Sequence, residues 1–192
     1  MQWNVAEFWF ERLFHYYFFD VSDYLPTLLE TWGNDTRAQV LRGVITHAEK
    51  DPKWQEYGLH LLKCFSVCKE NRNLIVHGLI KRITDNYLIV ERATRRLSSR
   101  ASYKITLKTL KQTEWEILML CSHLRFFESN TSGALPNLEM RAPLPDRLPL
   151  PRKLAETHRA ASVARMSEAT SGANLAASDP HFAPLMPGYK LI

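Results

Sequence analysis

Cysteine is scarce in this 192-residue chain, and its three copies, Cys64, Cys68 and Cys121, cannot all pair with one another. Neither a C-x-x-C pair nor an H-E-x-x-H segment occurs, so the usual ligand spacings of zinc sites are missing. His60, Cys64 and Cys68 do fall at i, i+4 and i+8, but a stripe along one helix does not converge on a tetrahedral centre. The cysteines are read as small buried thiols, and no metal and no cofactor is expected. Phosphate-cradling glycine patterns are lacking too. Without G-x-x-x-x-G-K or G-x-G-x-x-G, nucleotide hydrolysis and dinucleotide use are disfavoured.

Long uncharged apolar runs are also absent. The N-terminal "MQWNVAEFWFERLFHYYFFDV" is rich in aromatics, yet Glu7, Glu11, Arg12, His15 and Asp20 interrupt it. It falls short of the roughly 18 apolar residues of a membrane span. It lacks the basic start and small-residue cleavage site of an export signal. The expectation is a cytoplasmic protein with no membrane partner. Proline is rare before residue 129 and dense after it, with eight of the ten copies in the last 64 residues. A folded unit over about 1–128 is therefore expected, followed over 129–192 by a proline-rich tail, largely irregular or disordered.

What is present reads as helix first. Val5, Phe8, Trp9, Leu13, Tyr16 and Tyr17 follow helical spacing from Asn4 to about Phe19, and further phenylalanines widen the stripe to most of the surface. Such a helix is buried on more than one side, within the domain or against a second copy. A second helix is predicted over Ser22–Trp32, with Pro26 in its first turn. A third runs from Thr36 to about Lys50, capped by Asn34 or Asp35. Asp51 and Pro52 open a fourth, which continues to His77 and stops at Gly78. The pattern then alternates: "LIKRITDNYLIVERATRR" and "SYKITLKTL" predict a small antiparallel meander at about 79–111 with "TDN" as a turn. Thr113 and Glu116 resemble a capping box opening a last helix to about Glu128, burying Trp115, Leu118, Met119, Ser122, Leu124 and Phe126. The fold class is mainly α: a helical bundle, a β-meander inserted before the last core helix, and an irregular C-terminal tail.

Chemistry gathers at the end of the fourth helix, in "KENRNLIVHG". Glu70, Asn73 and His77 share one face, and the long side chain of Arg72 can curve back towards them. Histidine exchanges a proton near neutrality, arginine offers a fork of donors to phosphate, and asparagine orients a hydroxyl or an imidazole. Base, anion clamp and orienter together suit phosphodiester cleavage without metal. The plainer alternative is a helix-end histidine bonded to carbonyls, with Arg72 paired to Glu70 or Glu56.

Arg72-Asn73-Leu74-Ile75-Val76-His77 resembles the arginine, polar residue, three variable residues, histidine pattern of the HEPN superfamily, and the following Gly78 is common in its bacterial "RN…HG" members. That resemblance implies a helical bundle, usually a homodimer, in which two motifs face each other and cleave RNA by attack of its 2′-hydroxyl. Arg72, Asn73 and His77 would then be catalytic and Glu70 supporting. The resemblance also implies a toxin–antitoxin or phage-defence setting, with an antitoxin or another protein as partner. Many members of the superfamily are non-catalytic.

The chain carries a net charge of +5, and its basic residues are concentrated after the motif. Between Lys81 and Lys111 stand nine cations, Lys81, Arg82, Arg92, Arg95, Arg96, Arg100, Lys104, Lys108 and Lys111, against Asp85 and Glu91. With Tyr87 and Tyr103 interleaved, the segment reads either as an RNA footprint or as a solvated strand face guarding an edge.

Overall fold

Aromatic packing around one buried helix organises the molecule. In the computed structural model, which describes residues 2–18, 24–93, 100–132 and 141–157, α4 (Pro52–His77) runs through the centre. Its Phe65 stacks on Phe10 of α1 (Gln2–Tyr17), ring centroids 4.0 Å apart, and on Trp3 at 5.1 Å. Trp54, in the first turn of α4, stacks with both Phe126 and Phe127 of α5 (Leu107–Ser132). The short α2 (Leu25–Thr31) and α3 (Asn34–Ala48) add Leu25, Leu29, Leu41 and Ile45 to the same core. No helix among the described residues is long and apolar enough to cross a membrane.

The fold is mainly helical, with a three-stranded antiparallel sheet inserted before the last long helix. Its strands β1 (Leu79–Ile83), β2 (Tyr87–Ala93) and β3 (Arg100–Thr106) lie in sequence order, and Thr84-Asp85-Asn86 forms the first turn. Thr84 closes that turn by donating its backbone N–H to the Tyr87 carbonyl at 2.9 Å. Lys81 is the extra residue of an irregularity between Ile80 and Arg82. Leu88 and Val90 pair with Ile105 and Tyr103, and this inner face meets Leu74 and Leu154 in a second, smaller core. The end of α4 is thereby held by the sheet.

Several local expectations shift. The buried stripe of α1 is Trp3, Ala6, Phe10, Leu13 and Phe14, whereas Val5 and Phe8 face outward. A stripe that wide by sequence leaves its phase undetermined. Gly33, not Asn34 or Asp35, stands at the N-cap of α3; Asn34 instead donates to Glu7 Oε1 at 2.8 Å, and Asp35 pairs with Lys69. Asp51 does cap α4, accepting from the Lys53 N–H at 2.8 Å.

The largest shift concerns α5. Thr113 does not open it: β3 passes straight into the helix, and Thr106 Oγ1 accepts from the Thr109 N–H at 3.1 Å as the real cap. Thr113 lies buried inside, its hydroxyl donating to the Thr109 carbonyl at 3.0 Å. Counted from the true start, the inward face is Thr113, Ile117, Leu120, Leu124, Phe127 and Thr131, while Trp115, Leu118 and Ser122 are exposed.

Residues 141–157 pack on the helices, so the packed unit extends past Glu128. Arg141 and Glu49 form a buried ion pair at 2.8 Å, with the guanidinium over the Trp54 ring. His60 Nε2 lies 2.6 Å from the Leu148 carbonyl, which identifies it as the donor. Asn71, 2% exposed, donates to the Arg152 carbonyl at 2.8 Å and accepts from the Leu154 N–H at 2.9 Å. Proline suits such a strap, because an extended backbone without neighbouring strands needs few donors. It ends in one helical turn, α6 (Leu154–Thr157), and residues 158–192 lie outside the described residues.

Candidate functional site

The last turns of α4 carry Arg72, Asn73 and His77 at the surface, anchored beneath by buried Leu74. Gly78 terminates the helix with φ −76° and ψ 147°, an extended conformation open to any residue. Space, not a left-handed turn, requires glycine here. A Cβ would lie 2.0 Å from Val90 Cγ1 and 2.5 Å from the Leu74 carbonyl oxygen. The glycine therefore lets β2 close onto the helix end and fixes where the motif sits.

Arg72 does curve back. Its Nη1 donates to Asn73 Oδ1 at 3.0 Å and to His77 Nε2 at 2.9 Å, so both hydrogens of that nitrogen are used. His77 Nε2 is then an acceptor, with its ring proton on Nδ1. Three guanidinium N–H groups remain without a hydrogen bond among the described residues, and no carboxylate there pairs with Arg72. Glu56 pairs with Arg147 and Glu70 with Lys153, so neither supplies the surface ion pair of the plainer alternative. Glu70 also makes no bond to Arg72 or His77, and shares only a groove with Asn73. The imidazole is exposed and does not bond to helix-end carbonyls.

Two grooves flank the cluster. One, of about 400 Å³, is lined by Arg72 with Trp3, Ile75, Val76 and Leu110. The other, of about 480 Å³, takes in Asn73, Glu70, Arg92, Tyr103 and Lys153. The Arg72–Asn73 bond thus bridges from one groove to the other.

The structure divides the basic segment. Arg82 and Lys104 both pair across Ile89 on the outer face of the sheet, where Lys104 lies 4.3 Å from the Tyr87 ring centroid. Lys81 joins them, 3.6 Å from Glu91. Arg92 is on the opposite, inner face, beyond Leu88 and Val90. Lys108 and Lys111 belong to α5. Arg95, Arg96 and the side chain of Arg100 lie outside the described residues. The cations therefore form no single face.

The histidines and cysteines of the interior have other tasks. His60 accepts at Nδ1 from Arg147 Nη2, 3.1 Å away, while Nε2 serves the strap, so both nitrogens are committed. Burial pushes the Cys64 thiol up to about 11 and raises Cys68 and Cys121 as well, the reverse of an activated thiolate. Among the described residues no group of three His, Cys, Asp or Glu side chains is arranged to hold a metal. Tyr57 Oη lies 2.6 Å from His123 Nδ1. Burial pushes the phenol up to about 12 and lowers His123, so the pair is a neutral hydrogen bond within the core.

Asn71 escaped sequence reasoning, although a signal existed. Spaced from Cys64 and Cys68 as the next residue of the buried stripe, a polar side chain there demands a buried partner. Compared with protein-family models, curated proteins and solved structures, the chain matches none.

Proposed function

We propose that the chain is a HEPN-like RNA-binding protein that cuts RNA without metal, with Arg72, Asn73 and His77 as its working residues. The observation carrying this reading is Arg72 Nη1 held 2.9 Å from an exposed imidazole nitrogen, with three further donors unengaged among the described residues. An entering phosphodiester attracts the guanidinium, whose remaining N–H groups match its oxygens. Drawing Arg72 onto phosphate frees His77 Nε2 to accept the proton of the 2′-hydroxyl. The 2′-oxygen then attacks phosphorus, the bond to the 5′-oxygen breaks, and that oxygen takes a proton from solvent. The products are a 2′,3′-cyclic phosphate and a 5′-hydroxyl. Asn73 holds Arg72 at the correct distance in the resting state. Lys81, Arg82 and Lys104 on the outer sheet face supply attraction for the rest of the strand.

A second copy fits the same reading. α1 and α5 leave Val5, Phe8, Trp115 and Leu118 exposed, an apolar set suited to homodimer contact. The toxin–antitoxin or phage-defence setting belongs to this proposal as well, on the resemblance of the motif. The test of the chemistry is an RNA with one 2′-deoxy residue at a mapped cleavage position. Loss of cutting there alone, with cyclic phosphate ends elsewhere, is expected. Continued cutting at the deoxy position rejects attack by the 2′-hydroxyl.

One feature favours a non-catalytic interaction module instead. β1 is an edge strand exposed along its whole length, with Leu79, Ile80 and Ile83 in solvent, a template for a partner's strand. On that reading His77→Ala leaves the protein's activity in cells intact, and disruption of β1 abolishes it.

A further inference from the structure

The groove between α4, the inner end of the sheet and the strap has the makings of a nucleotide subsite. Alternation along β2 puts Leu88, Val90 and Arg92 on one face. The first two pack into the smaller core, but Arg92 extends past it and is exposed. Its cross-strand neighbour is the small Ala101, and its diagonal neighbour is Tyr103. The ring of Tyr103 packs partly on the smaller core and also lines the groove.

Charge identifies what the groove accepts. Two of its lysines are already matched: Lys69 pairs with Asp35, and Lys153 with Glu70. Arg92 has no such partner among the described residues, so the groove presents one unneutralised cation. Asn73 adds its amide N–H groups, for among the described residues only its oxygen is engaged, by Arg72. One cation, one aromatic ring and one amide match a single nucleotide: a monoanionic phosphodiester, a base with a π-face and a sugar hydroxyl. At about 480 Å³ the groove is of the size that holds a small molecule.

We propose that this groove binds the nucleotide of single-stranded RNA next to the phosphate held by Arg72, with Arg92 on the flanking phosphate and Tyr103 against the base. Asn73 links the two places, since the side chain that lines the groove also holds Arg72. Stacking tolerates every base, so the subsite fixes position along the strand, not sequence. Lys153 and Ala155 of the strap form one wall, so the groove is complete only with the strap docked. This inference rests on the RNA reading above, but not on the cleavage step.

The test uses the full chain and a fluorescein-labelled hexauridylate, with binding followed by anisotropy across a salt series. Arg92→Ala is compared with Arg82→Ala, another exposed arginine, on the opposite sheet face, and with Arg92→Lys. Arg92→Ala should weaken binding about tenfold, as loss of one charged contact does. It should also flatten the slope of log affinity against log salt by about 0.7, the share of one phosphate. Arg92→Lys should recover most of the loss, and Arg82→Ala should change affinity less than Arg92→Ala. Equal small losses from Arg92→Ala and Arg82→Ala, in a protein that still cuts RNA, overturn the groove and leave the cleavage reading standing. Arg92-dependent binding in a protein that cuts nothing supports the groove and removes cleavage. Absence of RNA binding by the wild type at low salt overturns both.

Discussion

Asn71→Ala tests how the strap is attached. Asn71 is 2% exposed and gives both ends of its amide to the strap backbone, at 2.8 and 2.9 Å. Two such bonds contribute about 1–3 kcal/mol together, at roughly 0.5–1.5 each. Alanine also strands the buried Leu154 N–H, which moves the expected cost to the top of that range, about 3 kcal/mol. At roughly 2–4 °C per kcal/mol for a unit of this size, Tm should fall by about 6–12 °C. Urea unfolding followed by circular dichroism measures the loss. Limited trypsin digestion locates it, because Arg147, Arg152 and Lys153 all lie in the strap. Faster cutting at these three sites than at the exposed Lys53 and Lys63 is the expected pattern. A loss under about 0.5 kcal/mol with unchanged digestion would mean that the paired hydrogen bonds do not hold the strap, and the reasoning fails.

Three further perturbations probe other parts. Gly78→Ala should destabilise by about 1–3 kcal/mol, because its methyl meets Val90 and a helix carbonyl, whereas Gly43→Ala, mid-helix with open space around it, should stabilise by about 0.5–1 kcal/mol; thermal melts separate the two signs. His123 is held neutral by burial, with its folded pKa below the unfolded value, so its contribution is complete above about pH 6.5 and declines as pH falls through that value towards the lowered folded pKa, by at most about 1.4 kcal/mol per unit. His123→Gln should flatten stability against pH in that window, and an unchanged slope in urea titrations would argue against it. Phe8→Glu and Leu118→Glu should shift sedimentation velocity profiles towards monomer, whereas a wild type that is already monomeric at every concentration removes the homodimer.

Much of this architecture is legible in the chain because local signals agree. Asp51, Pro52 and Gly78 mark both ends of α4, and alternation with Thr84-Asp85-Asn86 marks the meander. Legibility fails where one signal mimics another. The alternation of β3 continues by chance into Leu107 and Lys108, hiding the Thr106 cap; on α5 Leu124, Met119 and Phe126 pack inward as the spacing predicts, whereas Trp115, Leu118 and Ser122 face outward. The strap is illegible for a different reason. Its order comes from partners far away in sequence, Glu49, His60 and Asn71, and not from its own propensity. Within the site, the face shared by Asn73 and His77 follows from helical geometry, but only the folded chain brings Arg72 onto both. Arg92 reads as one more surface cation in a run of nine, and pairing register alone places it on the inner face of the sheet, beside the groove.

Cleavage of RNA in EDTA by wild-type and His77→Ala protein tests the central claim most directly. Wild type should cut, and His77→Ala should slow cutting by about 10²–10⁴-fold, the usual contribution of a proton-transfer group, while retaining wild-type stability because the imidazole is exposed. Equal cutting by both proteins, or none by the wild type, contradicts it.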